Sequence, residues 1–450
     1  MNILLLSKRC AGVFLLTTAV IAAAFVSSCQ GPAANQTTDP VANTTANSNT
    51  QTSAQPSPAA ADEQAASTAF TLPLLDALLV DEQFVSQVRT DLQLTDAEIQ
   101  KLRESARNGV DNLTDDAAED DSRSTKAASE EARKQIRQVL GDERGNRLIA
   151  HIGKHVSGGG ELAAVKPNSV PSDTRIVVNT PAYRMDVFQE GKLVKSYKVG
   201  IGYPEFPLPT GLRSAKSIIF NPTWTPPDEP WVKGKVSPGQ KVEAGSELNP
   251  LGPIKIPIGA PSLIHGGKSP ARLGTFASHG CVGLTNAQVQ DFAMKLANLS
   301  GKPITLQDVK SYEKTKTETK EVKLEQPIPV ELRYETIVLE NGSLKIYRDV
   351  YEKGTNTEEN LRRVLEHYGV SLDNLQPEVR QQLLDALQQM SLDAKGQPVT
   401  PTDAQASKKT ANSNKGSGKV TSTIKGKKEV VLQLPELAGK GYPAPKDMTM

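Results

Sequence analysis

The sequence predicts an α+β fold in which a β-rich domain follows a small helical module. Between residues 172 and 309, short alternating apolar runs are typical of strands, and they are accompanied by one clear helical pattern. Between residues 68 and 155, apolar residues recur at helical spacing. Aromatic residues make up only 4% of the 450-residue chain. Core-forming residues must therefore be concentrated in these parts, and we expect a disordered tether and a disordered tail outside them.

Residues 1–28 have the pattern of an export signal, with Lys8 and Arg9 preceding a short apolar run. The run ends at Val26-Ser27-Ser28-Cys29, which resembles the lipobox of bacterial lipoproteins. This resemblance implies cleavage before Cys29 and lipidation of that residue. The alternative, an uncleaved membrane anchor, is less consistent with an apolar run that is short for a span of roughly 20 residues. We therefore expect an exported protein, lipid-anchored to a membrane and facing the periplasm or cell wall.

The next two segments differ sharply in composition. Residues 29–67 are dominated by Ala, Thr, Asn, Gln, Ser and Pro, which predicts a flexible tether. Residues 68–155 are predicted to form the helical module, in which Thr95 and Glu98 have the spacing of a capping box. We expect one helix to run from about 136 to 149. His151 and His155 are one helical turn apart, and a solvated pair is favoured over a metal site.

The catalytic candidate is the segment 172–309. Strands are predicted near 175–178, 183–188, 195–201, 217–220, 254–258 and 303–306. Thr285 and Gln288 have capping-box spacing at the start of the single helix. Residues 327–392 are predicted to form a hairpin, with strands over 330–339 and 344–350, followed by two helices. Residues 394–450 are rich in Lys, Ser, Thr and Gly and are predicted to be a disordered basic tail.

Chemistry is concentrated around Cys281, the only cysteine after residue 29. A thiol becomes a useful nucleophile as the thiolate, and His265 and His279 are two candidate bases. Gly280 allows a sharp turn before the thiol and exposes backbone N–H groups to a developing oxyanion. Two other interpretations exist: a buried cysteine that acts as a small apolar residue, and a zinc site formed by His265, His279 and Cys281.

The pattern His265-Gly266, eleven residues, then Ser278-His279-Gly280-Cys281 resembles the active-site motif of the L,D-transpeptidases, the YkuD domain family. Asn221-Pro222 and Asn249-Pro250 resemble the two upstream landmarks of that family, and Pro209-Thr210-Gly211 resembles one of its loops. The resemblance covers about residues 172–309. It implies a β-rich domain that acts as a cysteine acyltransferase.

The resemblance also assigns roles to residues. It implies that Cys281 is the nucleophile, that His265 donates and accepts the proton, and that the Gly266 carbonyl orients the His265 ring. His279 and Gly280 would shape the turn, and the N–H groups of Gly280 and Cys281 would hold the oxyanion. We expect Ser278 to be a hydrogen-bonding support in the substrate site.

Substrate recognition is less clearly encoded. Trp224 and Trp231 flank Pro226-Pro227. For both side chains, packing in the fold and lining the substrate groove are equally favoured interpretations. Family members commonly carry Arg, or Asn in mycobacterial members, two positions after the nucleophile, and this chain has Gly283 there. We expect another cation, Arg272 or Lys268, to take over the recognition of substrate carboxylate.

The resemblance thus implies a peptidoglycan L,D-transpeptidase that acts on stem peptides and binds the membrane through its lipid anchor. It implies no metal and no organic cofactor. A formal net charge of +1 at pH 7 gives no overall signal for nucleic-acid binding. The alternatives are a catalytically silent wall-binding lipoprotein and the His/Cys zinc site.

Overall fold

The computed structural model describes residues 70–110, 125–156, 166–226, 236–237, 239–392 and 426–448. The predicted export signal, the Cys29 lipidation site, the tether, Trp231 and most of the predicted tail lie outside these residues. In the described part the fold is α+β, as predicted: N-terminal helices precede a domain built on a large mixed sheet. No helix in these ranges is both long enough and apolar enough to cross a membrane.

The helical module, as described, has five helices with one shared apolar core. They are α1 (Leu72–Val80), α2 (Glu82–Asp91), α3 (Asp96–Val110), α4 (Thr125–Leu140) and α5 (Asp142–Val156). The capping box is confirmed at the start of α3, where the Thr95 N–H donates to the Glu98 carboxylate and the Glu98 N–H to the Thr95 hydroxyl. The single helix predicted over 136–149 is wrong. Gly141 adopts a φ of 78° and separates α4 from α5.

The sheet of the second domain contains eight strands in the order β3-β2-β1-β10-β5-β6-β7-β9. A separate pair joins β4 and β8 in parallel. Among the strands that the structure describes in the large sheet, only the pairs β1–β10 and β7–β9 are parallel. The strands are β1 (Arg175–Asn179), β2 (Arg184–Gln189), β3 (Lys192–Lys198), β4 (Ile201–Gly202), β5 (Gly211–Phe220), β6 (Ile254–Pro257), β7 (Leu263–His265), β8 (Phe276–Ser278), β9 (Val282–Gly283) and β10 (Lys320–Arg333).

Helix α6 (Asn286–Leu299) packs on this sheet through Val289, Phe292 and Leu296. The predicted capping box of Thr285 and Gln288 is confirmed at its first turn. The strand predicted over 303–306 is wrong, because Thr305 caps a further helix, α7 (Leu306–Lys314), through a reciprocal bond with Asp308. A polar cap residue followed three positions later by a carboxylate favours a helix start over a strand.

Strand β10 extends the domain beyond the predicted limit at residue 309. It lies between β1 and β5 in the middle of the sheet, so the strand predicted over 330–339 is divided between two sheets. Its register shifts between Lys323 and Ile328, a stretch that contains Pro327. Alternation is interrupted there, which is why the sequence pattern placed this strand wrongly.

The C-terminal residues form a second sheet in the order β11 (Ile337–Glu340), β12 (Ser343–Tyr347) and β13 (Glu429–Gln433). Helices α8 (Glu358–His367) and α9 (Pro377–Met390) share an apolar cluster with this sheet. The prediction of a disordered tail is wrong for residues 426–448. Val430 and Leu432 pack against that cluster, and the Tyr442 hydroxyl donates to the buried carboxylate of Asp186.

Candidate active site

His265 ends β7, and Cys281 immediately precedes β9, the strand that pairs in parallel with β7. In the register, Ile264 is paired with Val282 and His265 with Gly283. Cys281 stands two positions before Gly283, and Cys281 and His265 line one cavity. Residues separated by sixteen positions in sequence are therefore brought together by the pairing of β7 with β9.

The turn that carries the thiol is held by two serine hydroxyls. The Ser278 hydroxyl donates to the Cys281 carbonyl at 2.6 Å and accepts the Cys281 N–H at 3.1 Å. The Ser262 hydroxyl donates to the Gly280 carbonyl at 2.9 Å. Gly280 itself has a φ of 81°, which a residue with a side chain rarely adopts.

These bonds alter the predicted oxyanion hole. The Cys281 N–H already donates to Ser278, so it does not face a developing oxyanion in this arrangement. Within the described part of the chain, the Gly280 N–H forms no hydrogen bond. Of the two predicted donors, Gly280 is the one whose bonding suits the role.

His265 is buried, with only 3% of its surface exposed. Its Nδ1 lies 2.8 Å from the Gly266 carbonyl oxygen, and because a carbonyl only accepts, Nδ1 carries the proton. Burial and the charge of Lys268 lower the pKa of His265 to about 3, although hydrogen bonding to the Gly266 and Leu251 backbone acts to raise it. The ring is therefore neutral at physiological pH, with its Nε2 lone pair able to accept a proton.

Cys281 is partly exposed, and its pKa is raised. Burial of the sulfur is the main cause, while the Leu263 backbone and the charge of Lys268 act in the opposite direction. The resting pair is thus a neutral thiol and a neutral imidazole. Such a pair needs the base to remove the proton as the sulfur attacks.

The ring of His279 is held by aromatic contacts. It meets the rings of Tyr203 and Phe206 edge-on, with centroid distances of 5.0 and 4.5 Å. Its carbonyl oxygen lies 4.0 Å from the Cys281 sulfur. These contacts fix the conformation of the turn, so the structural role of His279 is to shape the site.

The two predicted cations occupy different places. Lys268 lines the cavity in front of Cys281, and its side chain covers Gly283, where an added Cβ would lie 2.8 Å from the Lys268 Cγ. Arg272 lies in a 3₁₀ turn (Pro270–Arg272) and donates to the Tyr203 hydroxyl at 3.0 Å. Among the described residues that line the cavity, Lys268 is present and Arg272 is not.

The cavity has a volume of 1110 Å³. Its lining from the sheet domain includes Cys281, His265, Ser278 and Trp224. The backbone of Trp224 is fixed by two hydrogen bonds with Val242, of 2.9 and 2.7 Å. This arrangement favours the second of the two interpretations of Trp224, a wall of the groove.

Comparison with known proteins identifies this domain. The family model for YkuD, the L,D-transpeptidase catalytic domain, matches residues 173–316. Residues 173–316, about a third of the chain, are therefore similar to a YkuD catalytic domain.

Relatives of known name are similar to this part of the chain. A Bacillus subtilis protein named as an L,D-transpeptidase, YqjB, is 25% identical over 170 residues, which are 36% of this chain and 89% of that protein. Among solved structures, Enterococcus faecium L,D-transpeptidase matches at 16% identity with a TM-score of 0.23, over 36% of this chain and 50% of that one. Mycobacterium smegmatis L,D-transpeptidase matches at 15% identity with a TM-score of 0.22, over 36% and 58%. The chain thus spans about half the length of the first of these solved chains.

The two Asn-Pro landmarks of the YkuD domain brace the site. The amide of Asn221 donates to the carbonyls of Tyr312, Thr315 and Glu318, which ties β5 to the segment after α7. The amide of Asn249 donates to the Pro222 carbonyl at 2.8 Å. These asparagines therefore act on loop geometry, a role that the sequence pattern did not reveal.

The helical module also lines the cavity of the YkuD domain, a feature that sequence reasoning missed. Five residues of α1 and one of α3 contribute: Pro73, Leu74, Asp76, Ala77, Val80 and Arg107. In the sequence, the one signal of this wall is Asp76, a charged residue within the otherwise apolar helix α1. The contact itself joins segments that are far apart in sequence, so no local pattern reveals it.

The zinc alternative finds no support in this geometry. Within the described ranges, no group of three or more His, Cys, Asp or Glu side chains is arranged to hold a metal ion. His151 and His155 instead pack against the ring of Phe84, at centroid distances of 5.7 and 4.9 Å.

Proposed function

We propose that the protein is a peptidoglycan L,D-transpeptidase in which Cys281 forms a thioester with a stem peptide. The observation that carries this proposal is that Cys281 and the neutral His265 line one cavity, at the junction of the paired strands β7 and β9. A thiol with an adjacent unprotonated base is the minimum equipment for covalent acyl transfer. The YkuD match to residues 173–316 supports the same reaction class.

The steps follow from the two side chains. His265 Nε2 takes the thiol proton while the Cys281 sulfur bonds to the carbonyl carbon of the third stem residue. The carbon–nitrogen bond to the terminal D-alanine breaks, and His265 returns its proton to the leaving amine. A second amine then attacks the thioester and loses a proton to His265, the carbon–sulfur bond breaks as the new amide forms, and His265 returns the proton to the Cys281 sulfur.

Incubation with disaccharide tetrapeptide, followed by mass spectrometry of products and protein, tests this function. We expect a covalent adduct on Cys281, release of D-alanine and a cross-linked product. A carbapenem should also form an adduct on Cys281. Failure of the wild-type protein to form either adduct would favour the alternative of a catalytically silent wall-binding lipoprotein. The glycine at 283, where family members commonly carry Arg, is the specific reason for this alternative.

The Lys268 ammonium is proposed to supply the positive charge that Gly283 lacks. Replacing Lys268 with Met keeps the aliphatic stem over Gly283 and removes the charge. We expect the KM for tetrapeptide to rise roughly tenfold or more, because a charge-assisted bond to a carboxylate is lost. Steady-state kinetics on tetrapeptide, with Arg272→Met as the matched control, measure this. If Lys268→Met leaves the KM unchanged, or Arg272→Met raises it by as much, the proposal for Lys268 is wrong.

We propose further that the protein is exported and lipid-anchored through Cys29. The support is the sequence pattern of residues 1–28 and of the lipobox-like Val26–Cys29. Metabolic labelling with a fatty acid should label the wild-type chain and leave a Cys29→Ala variant unlabelled. Equal labelling of both would contradict the anchor.

The tether is expected to matter for its length. As a flexible coil, residues 30–67 would span roughly 30–40 Å in root-mean-square terms, which would carry the enzyme from the membrane toward the wall. Deleting most of this segment should reduce cross-linking in cells while activity on soluble substrate stays normal. Shuffling its sequence is the matched control and should preserve both. Unchanged cross-linking after the deletion would show that the tether has no positioning role.

A further inference from the structure

Residues 202–208, which follow β4 and are called loop 202–208 here, lie directly against the catalytic turn. Gly202 is paired with Ser278 of β8, and the Tyr203 N–H donates to the Ser278 carbonyl at 2.8 Å. A Cβ added at Gly202 would lie 3.1 Å from the Gly280 Cα, so the two backbones approach each other closely. Any movement of this loop would therefore be felt by the turn that carries the thiol.

A tyrosine from the C-terminal part of the chain bridges the two ends of this loop. The Tyr351 hydroxyl donates to the Gly202 carbonyl at 2.8 Å and accepts the Leu208 N–H at 3.1 Å. Tyr351 is 1% exposed, and burial raises its pKa, so the hydroxyl stays protonated and able to donate. Its ring stacks on that of Phe276 in β8, the strand that leads into the catalytic turn. Tyr351 lies outside residues 173–316, the region that is similar to a YkuD domain.

The helical module holds the middle of the same loop. Thr71, directly before α1, donates its hydroxyl to the Glu205 carbonyl at 2.6 Å. Thr125, at the start of α4, donates to the Pro204 carbonyl at 3.0 Å. Both threonines are buried, and neither they nor Tyr351 are among the described residues that line the catalytic cavity. The loop is thus held from two sides by residues that stand outside the cavity.

These bonds bear on the reaction because of what the loop supports. A buried carbonyl or N–H left without a partner is unfavourable, so removal of a hydroxyl would shift the loop toward new partners. Tyr203 and Phe206 would move with it, and their rings hold that of His279. A displacement of about 1 Å at a reacting group can lower a rate roughly 100-fold.

We propose that Tyr351 and Thr125 are positioning residues for the transfer reaction, and that they act through loop 202–208 on the turn that contains Gly280 and Cys281. They touch neither the substrate nor the reacting atoms. By holding the loop, they keep the Gly280 N–H and the Cys281 sulfur in the geometry that the attack requires. The helical module and the C-terminal segment thereby set the rate of the reaction and leave substrate affinity unchanged. This inference rests on the proposed function, because it presupposes attack by Cys281.

The test measures kcat and KM of the 450-residue chain with disaccharide tetrapeptide, expressed per active site. Active sites are counted from the final stoichiometry of the carbapenem adduct on Cys281, so unfolded protein does not lower kcat. Tyr351→Phe removes the hydroxyl and keeps the stacked ring. We expect its kcat to fall roughly tenfold or more, with the KM unchanged within about twofold. Thr125→Val removes one bond to the loop and should lower kcat roughly threefold at an unchanged KM.

Two matched controls separate positioning from stability. Tyr442→Phe removes another buried hydroxyl, which donates to the Asp186 carboxylate at 3.1 Å, and Tyr442 is not among the residues that line the cavity. Thr90→Val is the control for Thr125→Val, because the Thr90 hydroxyl bonds to a carbonyl within α2 of the same module. Both controls should keep the wild-type kcat per active site within about twofold, whatever their stability. Thermal unfolding records the stability of every variant.

The outcomes separate this inference from the function on which it rests. If the wild-type protein forms no adduct with tetrapeptide or carbapenem, the proposed function fails and the positioning role fails with it. If adducts form and Tyr351→Phe keeps the wild-type kcat, the function stands and the positioning role is overturned. A lower kcat at an unchanged KM in Tyr351→Phe supports the role, whereas an equal loss in Tyr442→Phe overturns it, because the loss then reflects stability alone. Should Tyr351→Phe not fold, Thr125→Val decides, and an unchanged kcat in that variant overturns the proposal.

Discussion

Replacement of Cys281 by alanine is expected to abolish adduct formation and transfer, with a loss of roughly 10⁴-fold or more in kcat/KM. Both half-reactions pass through the sulfur, and no other cysteine occurs after residue 29. The fold should survive, because the turn is held by Ser278, Ser262 and Gly280 and not by the sulfur. Release of D-alanine from tetrapeptide, followed by mass spectrometry, measures the loss.

A graded variant separates the nucleophile from its support. Ser278→Ala removes both bonds to the Cys281 backbone and should lower the rate while leaving a detectable adduct on Cys281. Thermal unfolding of Cys281→Ala should match that of the wild-type protein. Residual transfer by Cys281→Ala that exceeds the Ser278→Ala rate would contradict the assignment of Cys281 as nucleophile.

The sequence pointed to Cys281 and His265 through a short motif that resembles the YkuD family, while spacing alone left His265 and His279 as alternative bases. Gly280 permits a turn before Cys281, but the short strands β7 and β9, whose pairing carries His265 toward this turn, were not among the predicted strands. The capping box of Thr285 and Gln288 was confirmed because its two bonds join residues three apart. Interactions of this range are visible in a sequence pattern.

Features that depend on distant packing were missed. Nothing local in Glu429–Gln433 shows that it pairs with β12, and the lysine-rich stretch before it favoured disorder. Strand β10 was misplaced because Pro327 interrupts its alternation, although its neighbours β1 and β5 complete its hydrogen bonds. The wall formed by α1 likewise depends on a contact between Thr71 and Glu205, which are 134 residues apart.

The charge balance of the site shows how Gly283 is compatible with the proposed activity. A side chain at 283 would meet Lys268, whose stem already fills that space. Lys268 lowers the pKa of both His265 and Cys281, so its charge favours the thiolate and keeps the base unprotonated. Lys268, on the loop after β7, can therefore supply the positive charge that family members place on the residue two positions after the nucleophile, which is Gly283 on β9 in this chain.

Replacement of His265 by alanine is expected to cost roughly 10²–10⁴-fold in kcat/KM, the usual contribution of a positioned general base. His279→Ala should cost less, because the contacts of that ring with Tyr203 and Phe206 shape the turn. The two variants form a matched pair, since both remove an imidazole that lines the same cavity. An equal or larger loss in His279→Ala would exchange the two roles.

The pH dependence provides a second test of the base. An unperturbed histidine protonates near pH 6.5, whereas the pKa of His265 is lowered to about 3, chiefly by burial. The base is thus lost to protonation only as the pH falls toward 3, and kcat/KM should show no acid-side decline with a midpoint near 6.5. On the alkaline side, the raised pKa of Cys281 keeps the thiol protonated and the concerted proton transfer in operation. A kcat/KM profile that halves near pH 6.5 in the wild-type protein, and loses that step in His279→Ala, would assign the base to His279 instead.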